Sequence, residues 1–547
     1  MPRDVSSLFP SPGRAILNPQ TSPQQSTGRP RATQDKRGAV TRGRGRNLAE
    51  FVGGKNLMST KLKSFFLTLS LAAPMLGGTA LPTAVAQTGS APASARPNVL
   101  FLAVDDLRPE LGCYGSPQVK SPSIDRLASQ STLFTRAYCQ VPVCGASRAS
   151  LMTSVLPAPD RFRVYLTRAD HDAPNCKTLA QVFKEAGYVT LSNGKIFHEI
   201  EDSAGRSWSE SPWRPAAWND TALDPASTNS LPGKRGRIFE MPDVPDDAYA
   251  DGQIAERTIA DLQRLKAGGK PFFLASGFLR PHLPFYAPKK YWDLYDRSKI
   301  KIADNRSRPA GSPKGLQGST EYRNYDLGGF TDNSDDFHRM MRHGYFASTS
   351  YTDAQIGRVL AELDRLGLAD NTIVVLWGDH GWNLGEHNFW GKHNTMHHAV
   401  NAPLMLRAPG KTRGARSDAL VGFLDIFPTL CELAGVSAPG TVQGRSFVPL
   451  LSDPKSSFRD SVYTRYLQGD CVVTGRFIYT KYRNNGGEML YDLKQDPKEN
   501  RNVAADPKYA ETLASMKSLL AAHEAEAQQA KVKPSPKTAP SPKASRE

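Results

Sequence analysis

The sequence predicts an α/β domain built on a large, mostly parallel, helix-covered sheet, followed by a small antiparallel α+β subdomain. Three observations carry that prediction. Short runs that are apolar at nearly every position, such as Asn98-Val-Leu-Phe-Leu-Ala-Val104, suit strands buried on both faces. These runs alternate with stretches of helical periodicity, the order that crossover helices between parallel strands require. After Pro449 the pattern changes to short strands separated by tight turns. Taken in order, Pro97–Val104 is the first buried strand and Ser123–Gln130 a helix. Thr178–Glu185 is a helix leading into a strand at Tyr188–Ser192, and Ala255–Leu265 a helix leading into Pro271–Ser276. Tyr345–Leu366 and Thr372–Trp377 repeat that order. In the last part Ser461–Tyr466, Cys471–Val473, Phe477–Tyr482 and Glu488–Leu493 read as strands, with a helix near Tyr509–Glu526. The expected organisation is a main domain over 97–455, a subdomain over 456–528 and a solvated tail over 529–547. Two long polar, Pro/Gly-rich stretches, about 201–248 and 303–335, are expected to form the rims of a binding cleft.

The net charge of +16 on 547 residues invites a nucleic-acid reading, but its location removes it. An excess of 7 lies in residues 1–57, 2 in 58–86 and 4 in 531–547, leaving +3 for 87–530. No basic core remains to bind nucleic acid. Residues 1–57 are rich in Pro, Arg, Gln, Ser and Gly and are expected to be a disordered basic segment. Met58-Ser-Thr-Lys-Leu-Lys63, the apolar stretch Phe65–Met75 and Ala84-Val85-Ala86 then follow the basic, apolar, small-residue order of a signal peptide over 58–86. Cleavage is expected after Ala86, giving an exported protein, periplasmic or secreted. Pro74, Gly77 and Gly78 cut the apolar run short of the roughly 20 residues a span needs, so no stable membrane anchor is expected. A signal that opens at an internal methionine also suggests that translation starts at Met58. The alternative is a genuine basic tail, and a peptide from 1–57 in the native protein would establish it.

The chemistry-bearing residues sit where the predicted strands end. The first strand runs into Asp105-Asp106, and the strand at 372–377 into Asp379-His380-Gly381. In parallel sheets the carboxyl ends of strands border the ligand crevice. A lone Asp there is a cap or turn residue as readily as a ligand, but two such clusters point to a cation site, and oxygen donors favour Ca²⁺ or Mg²⁺ over Zn²⁺. Between them, Cys144-Gly-Ala-Ser-Arg148 opens a helical run, a position where backbone N–H groups favour anions. The six cysteines (113, 139, 144, 176, 431, 471) form no dense disulfide framework.

Cys144-x-Ala146-x-Arg148 resembles the signature of the type I sulfatases, in which the cysteine is oxidised to Cα-formylglycine. Its companions follow in order: Val104-Asp105-Asp106, Gly194-Lys195-Ile-Phe-His198, Arg280-Pro281-His282-Leu-Pro284-Phe285, Gly378-Asp379-His380-Gly381 and Trp390-Gly391-Lys392. Asp105-Asp-Leu-Arg-Pro109, Gly112-Cys-Tyr-Gly115 and the Gly-Lys-x-x-His spacing resemble the iduronate-2-sulfatase branch in particular, and the resemblance covers roughly 97–525. It implies an alkaline-phosphatase-like fold and a cation held by Asp105, Asp106, Asp379, His380 and the modified Cys144. It also implies a formylglycine hydrate whose two geminal hydroxyls act in turn, one attacking sulfur and the other losing its proton to expel the sulfate. Arg148 and Lys195 would hold the nucleophile as an anion, Lys392 and His282 would face the sulfate, and His282 would protonate the leaving alcohol. His198 would orient the hydroxyl and accept its proton. The implied partners are a sulfated saccharide, as part of an acidic polysaccharide, and a formylglycine-generating enzyme during maturation.

The sequence departs from the family after Lys392, where an acidic residue is expected near position 397 and Thr395-Met-His397-His398 stands instead. These histidines lie on the surface or line a pocket for an acidic sugar. The expected activity is sulfuric ester hydrolysis on a sulfated saccharide, a 2-sulfated uronic acid or similar unit. Two alternatives are a phosphodiester or phosphonate ester hydrolase of the same fold, and a catalytically dead sulfated-glycan-binding protein.

Overall fold

The computed structural model describes residues 96–532, except 217, 219, 220, 229, 230 and 412. The expected signal peptide, the N-terminal basic segment and the end of the C-terminal tail lie outside these residues. Seven strands form the main sheet: β1 (Asn98–Val104), β2 (Thr132–Tyr138), β3 (Val189–Gly194), β4 (Phe272–Phe278), β5 (Thr372–Gly378), β6 (Leu404–Arg407) and β7 (Ala415–Gly422). Their spatial order is β7-β2-β6-β5-β1-β4-β3, and only β6 runs antiparallel to its neighbours.

Strand β1 shows why an all-apolar run is needed at the centre. Val99, Phe101 and Ala103 point into one core, while Leu100, Leu102 and Val104 point into a second on the other face. Helices α1 (Cys144–Thr153), α2 (Ala250–Gly268) and α3 (Asp335–Arg365) are among those that cover these faces. The register brings the strand ends to one level. Val104 of β1 is opposite Phe278 of β4 and Gly378 of β5, and Gly277 of β4 is opposite Gly194 of β3. The residues that follow four adjacent strands therefore emerge side by side.

The long helix expected over Tyr345–Leu366 begins ten residues earlier, at Asp335, where the Ser334 hydroxyl accepts from the Phe337 N–H. Its first turns are polar and charged, which hides them from a periodicity reading. Strands β2, β6 and β7 were not expected. The loop over 201–248 is tied down where Phe239–Glu240 pairs in parallel with Phe285–Tyr286, just beyond β4.

After the main sheet, β8 (Ser461–Tyr466), β9 (Gly469–Thr474), β10 (Phe477–Tyr482) and β11 (Gly487–Asp492) form an antiparallel meander. Helix α4 (Ala510–Gln528) packs Met516, Leu520 and Ala527 against Tyr463, Val472, Tyr479 and Leu490 of that sheet.

Candidate active site

Asp105 and Asp106 follow β1 directly. Asp106 takes a left-handed turn (φ 57°), a conformation Asp tolerates better than most residues, so the chain leaves the strand's alternation. Asp379 and His380 follow β5, Lys195 follows β3 and His282 lies four residues beyond β4. Cys144 opens α1, all ten residues of which are buried. The helix enters against the Tyr165 carbonyl so closely that a Cβ on Gly145 would lie 1.8 Å from it. Only glycine fits there.

Asp105, Asp106, Cys144 and His380 place one ligand atom each within 4.8 Å of one another. Cys144 Sγ is 3.4 Å from His380 Nε2, which is 3.3 Å from Asp106. Asp379 lies at the same centre, but its oxygens already accept from the backbone N–H groups of Asp106 (3.0 Å) and His380 (3.1 Å) and from Arg148 Nε (2.9 Å). Its carboxylate thus holds the turn together as well as facing the centre. Arg148 also reaches Asp105 at 3.3 Å and the Lys195 carbonyl, while Lys195 Nζ meets the other Asp105 oxygen at 2.5 Å. Burial raises the Asp105 pKa, but Lys195, His282 and Arg148 more than reverse this and hold it well below the usual range.

On the other side, Lys392 Nζ lies 3.1 Å from Asp106 and 2.9 Å from Glu321, over the Trp382 ring. His282 Nε2 is 3.4 Å from Glu321 and 3.9 Å from Asp106, and its Nδ1 is 2.6 Å from the Leu283 carbonyl, which fixes Nδ1 as the donor. Burial first, then Lys392, pushes the His282 pKa down to about 3. Burial raises Asp106 well above the ordinary value; Lys392 opposes this, and Asp105, Glu321 and Asp379 add to it.

His198 stands further back. Its Nε2 is 3.7 Å from Glu199, its ring meets the edge of Tyr165, and its buried Nδ1 has no hydrogen-bond partner among the described residues. Burial and the nearby Lys195 hold its pKa well below the ordinary value. All ten sequence-predicted residues therefore gather around one set of strand ends.

Two residues of the site were missed. Glu321 lies within a stretch already marked as a cleft rim, but no motif singles it out. Arg214, in the other long loop, donates to the carbonyls of Phe197 (2.9 Å) and His198 (2.8 Å) and so braces the segment carrying Lys195 and His198. His397 and His398 are half-buried on a short helix at His397–Val400. His397 N–H donates to Glu499, and His398 lines a cavity of about 620 Å³ with Arg342 and Glu386. All six cysteines are free thiols.

A buried cysteine at a helix start is ringed by carboxylates, imidazoles, lysines and an arginine at the ends of a doubly covered sheet, and the family match and fold neighbours make this a hydrolase of the alkaline phosphatase superfamily. The sulfatase family model matches residues 97–436, and the chain belongs to that family as a type I sulfatase resembling the iduronate-2-sulfatase branch. The model for the C-terminal part of N-sulphoglucosamine sulphohydrolase matches residues 385–526. Human iduronate 2-sulfatase is 35% identical over 427 residues, 68% of this chain and 76% of that protein. A delta 4,5-hexuronate-2-O-sulfatase of Bacteroides thetaiotaomicron is 29% identical, over 79% of this chain and 89% of its own length. The phosphonate monoester hydrolase of Agrobacterium radiobacter superposes with a TM-score of 0.67 at 24% identity, covering 79% of this chain and 96% of that one, which shows a shared fold. No helix among the described residues is long and apolar enough to cross a membrane.

Proposed function

We propose that this sulfatase removes a sulfate ester from a uronic acid unit of an acidic polysaccharide, using Cys144 after its conversion to Cα-formylglycine. The observation that carries this reading is the position of Cys144 at the start of α1, 3.4 Å from His380 and within the Asp105–Asp106 pocket. As a thiol Cys144 is a poor nucleophile here, because burial and Asp105 push its pKa well above the ordinary value. The aldehyde hydrate supplies two hydroxyls, one for attack at sulfur and one whose deprotonation frees the product.

With Cys144 in that form the donor set of Asp105, Asp106, His380 and residue 144, with Asp379 beside it, is oxygen-rich, which suits Ca²⁺ or Mg²⁺. Four carboxylates meeting three cationic side chains fit a divalent cation as well. When bound, it supplies Lewis acidity toward a sulfate oxygen and toward the attacking hydroxyl. The chain's own groups do the rest. Arg148 and Lys195 hold the nucleophile's oxygen as an anion, Lys392 faces the sulfate, and His282, whose Nδ1–H is held by the Leu283 carbonyl, protonates the leaving oxygen from Nε2 only as the imidazolium, the form that Glu321 and Asp105 favour. His198 accepts the proton of the second hydroxyl, braced by Arg214. A uronate 2-sulfate is favoured as substrate because the two relatives named for uronate or hexuronate 2-sulfatases match along most of the chain. Export after cleavage at Ala86 and maturation by a formylglycine-generating enzyme complete the proposal.

The test is the mass of the tryptic peptide Ala137–Arg148 from protein of the native source, together with sulfate release from a panel of 2-O-sulfated uronates, 6-O-sulfated glucosamine, aryl sulfate and aryl phosphodiester. An aldehyde at position 144 and preference for the uronates are expected. An unmodified thiol with glycan binding but no release would favour a binding protein, and faster aryl phosphodiester turnover would overturn the sulfatase reading.

A further inference from the structure

Glu321 places a second buried carboxylate beside Lys392, opposite Asp106. Its side chain is 2% exposed, 2.9 Å from Lys392 and 3.4 Å from His282. The loop that delivers it is pinned: Glu321 N–H donates to the Ser319 hydroxyl at 3.2 Å, which is 2.9 Å from His393 Nδ1, and Gly391 leaves no room for a side chain against Ser319. The carboxylate is ionised, since Lys392 above all, then His282 and His393, outweigh the effect of burial on its pKa. The ion pairs of the site join Arg148, Lys195 and Lys392 to Asp105, Asp106, Asp379 and Glu321. Of these carboxylates Glu321 is the one outside the donor set proposed for the cation, so its charge offsets positive charge that would otherwise face a bound anion.

Sulfate and phosphate monoesters are tetrahedral anions of similar size and shape, so packing alone discriminates poorly between them. They differ in charge: the sulfate ester carries −1, and the phosphate monoester approaches −2 above its second pKa of about 6. Removing Glu321 adds one unit of positive charge beside the bound anion, which favours the doubly charged ester over the singly charged one.

We infer that Glu321 is a specificity-determining residue, setting the charge of the site so that a singly charged sulfate ester is accepted and a doubly charged phosphate monoester is disfavoured. This rests on the sulfuric ester hydrolase reading. Its role is separate from the shape of the pocket and from the proton held by His282. One unit of charge beside the bound anion is expected to change the preference roughly 10- to 100-fold.

The experiment compares 4-nitrophenyl sulfate and 4-nitrophenyl phosphate at pH 8 as substrates for the matured wild type, Glu321→Gln and Glu321→Asp. The phosphate-to-sulfate ratio of kcat/KM is expected to rise roughly 10- to 100-fold in Glu321→Gln and to stay near wild type in Glu321→Asp, which keeps the charge. Calorimetric binding of the same two esters to Ca²⁺-loaded Cys144→Ala protein, with and without Glu321→Gln, reads the same shift without turnover. Glu321→Ala serves as a second neutral variant if melting shows Glu321→Gln to be unfolded. Equal losses on both esters with an unchanged ratio would reduce Glu321 to a brace for Lys392 and His282 and overturn the inference. A matured wild type inert toward sulfate esters would instead sink the functional reading, while the binding ratio would still report on Glu321.

Discussion

Around Asp105 each carboxylate oxygen meets its own buried cation, Lys195 at 2.5 Å and Arg148 at 3.3 Å, and Arg148 extends the same service to Asp379. Around Asp106 a single ammonium, Lys392, is shared between two carboxylates, with His282 at the edge. The first region is a closed, satisfied network in which removing one member strands a buried charge. The second is short of positive charge and, in the proposed function, is the side that faces the substrate. The contrast separates groups that hold the fold's polar centre together from groups whose charge is available to a ligand, although both sit at the ends of neighbouring strands.

Several substitutions can break or sharpen this contrast. The largest effect is expected from Arg148→Ala, which leaves Asp105 and Asp379 without their shared partner inside the protein. Unfolding free energy is expected to fall by about 3–5 kcal/mol, read by chemical denaturation, with sulfate release lost as well. Lys392→Ala should separate the two properties. A loss of roughly 10²–10³-fold in kcat is expected, with a destabilisation that added Ca²⁺ offsets, because the buried Asp106 and Glu321 lose their shared ammonium but Asp106 lies in the cation's proposed donor set. A destabilisation equal to that of Arg148→Ala would erase the distinction between the two sides.

Chelation acts more gently, at the proposed donor set that the two regions share. Removing the cation from protein held at 100 times its dissociation constant is expected to cost about 2.7 kcal/mol of stability, seen as a lower melting temperature that Ca²⁺ or Mg²⁺ restores. A melting temperature indifferent to chelator would argue against a bound cation.

The smallest effect concerns His397 and His398, which burial, with Arg108 nearby, holds down at about 4 and about 3. Their unfolded value is about 6.5, so between that pH and the folded values the unfolded chain binds more protons. Their contribution to stability is therefore complete above pH 6.5 and declines as the pH falls toward 4. Denaturation midpoints at pH 7.5 and pH 5 should show this loss, and His398→Gln should make the difference smaller. An unchanged pH dependence would mean that His398 is solvated enough to titrate normally.

The parts of the molecule legible in the sequence share a physical cause. Strands β1, β4 and β5 are buried on both faces, so they appear as apolar runs, and the residues that follow them in the chain are the ones that reach the site. Strands β2, β6 and β7 escaped because their sequences lack that signature. Thr132–Tyr138 includes Thr135 and Arg136, β6 has only four residues, and the first half of β7, Ala415-Arg-Ser-Asp418, is partly exposed at the sheet's edge. The same reasoning accounts for the start of α3, whose opening turns carry Asp335, Asp336, His338 and Arg339.

What the sequence determined by itself was which residues gather at the candidate site. Cys144, Arg148, the two Asp clusters, Lys195, His282 and Lys392 lie in short contiguous motifs, and local chemistry marks them without knowledge of the fold. Tertiary structure alone decided how charge is distributed among them. Glu321 is 173 residues from Arg148 and 71 from Lys392, in a stretch that carries no pattern; only the folded loop, with Ser319 against Gly391, makes it the partner of Lys392. Electrostatic pairing depends on distance through space and on exclusion of water, neither of which is written in residue order.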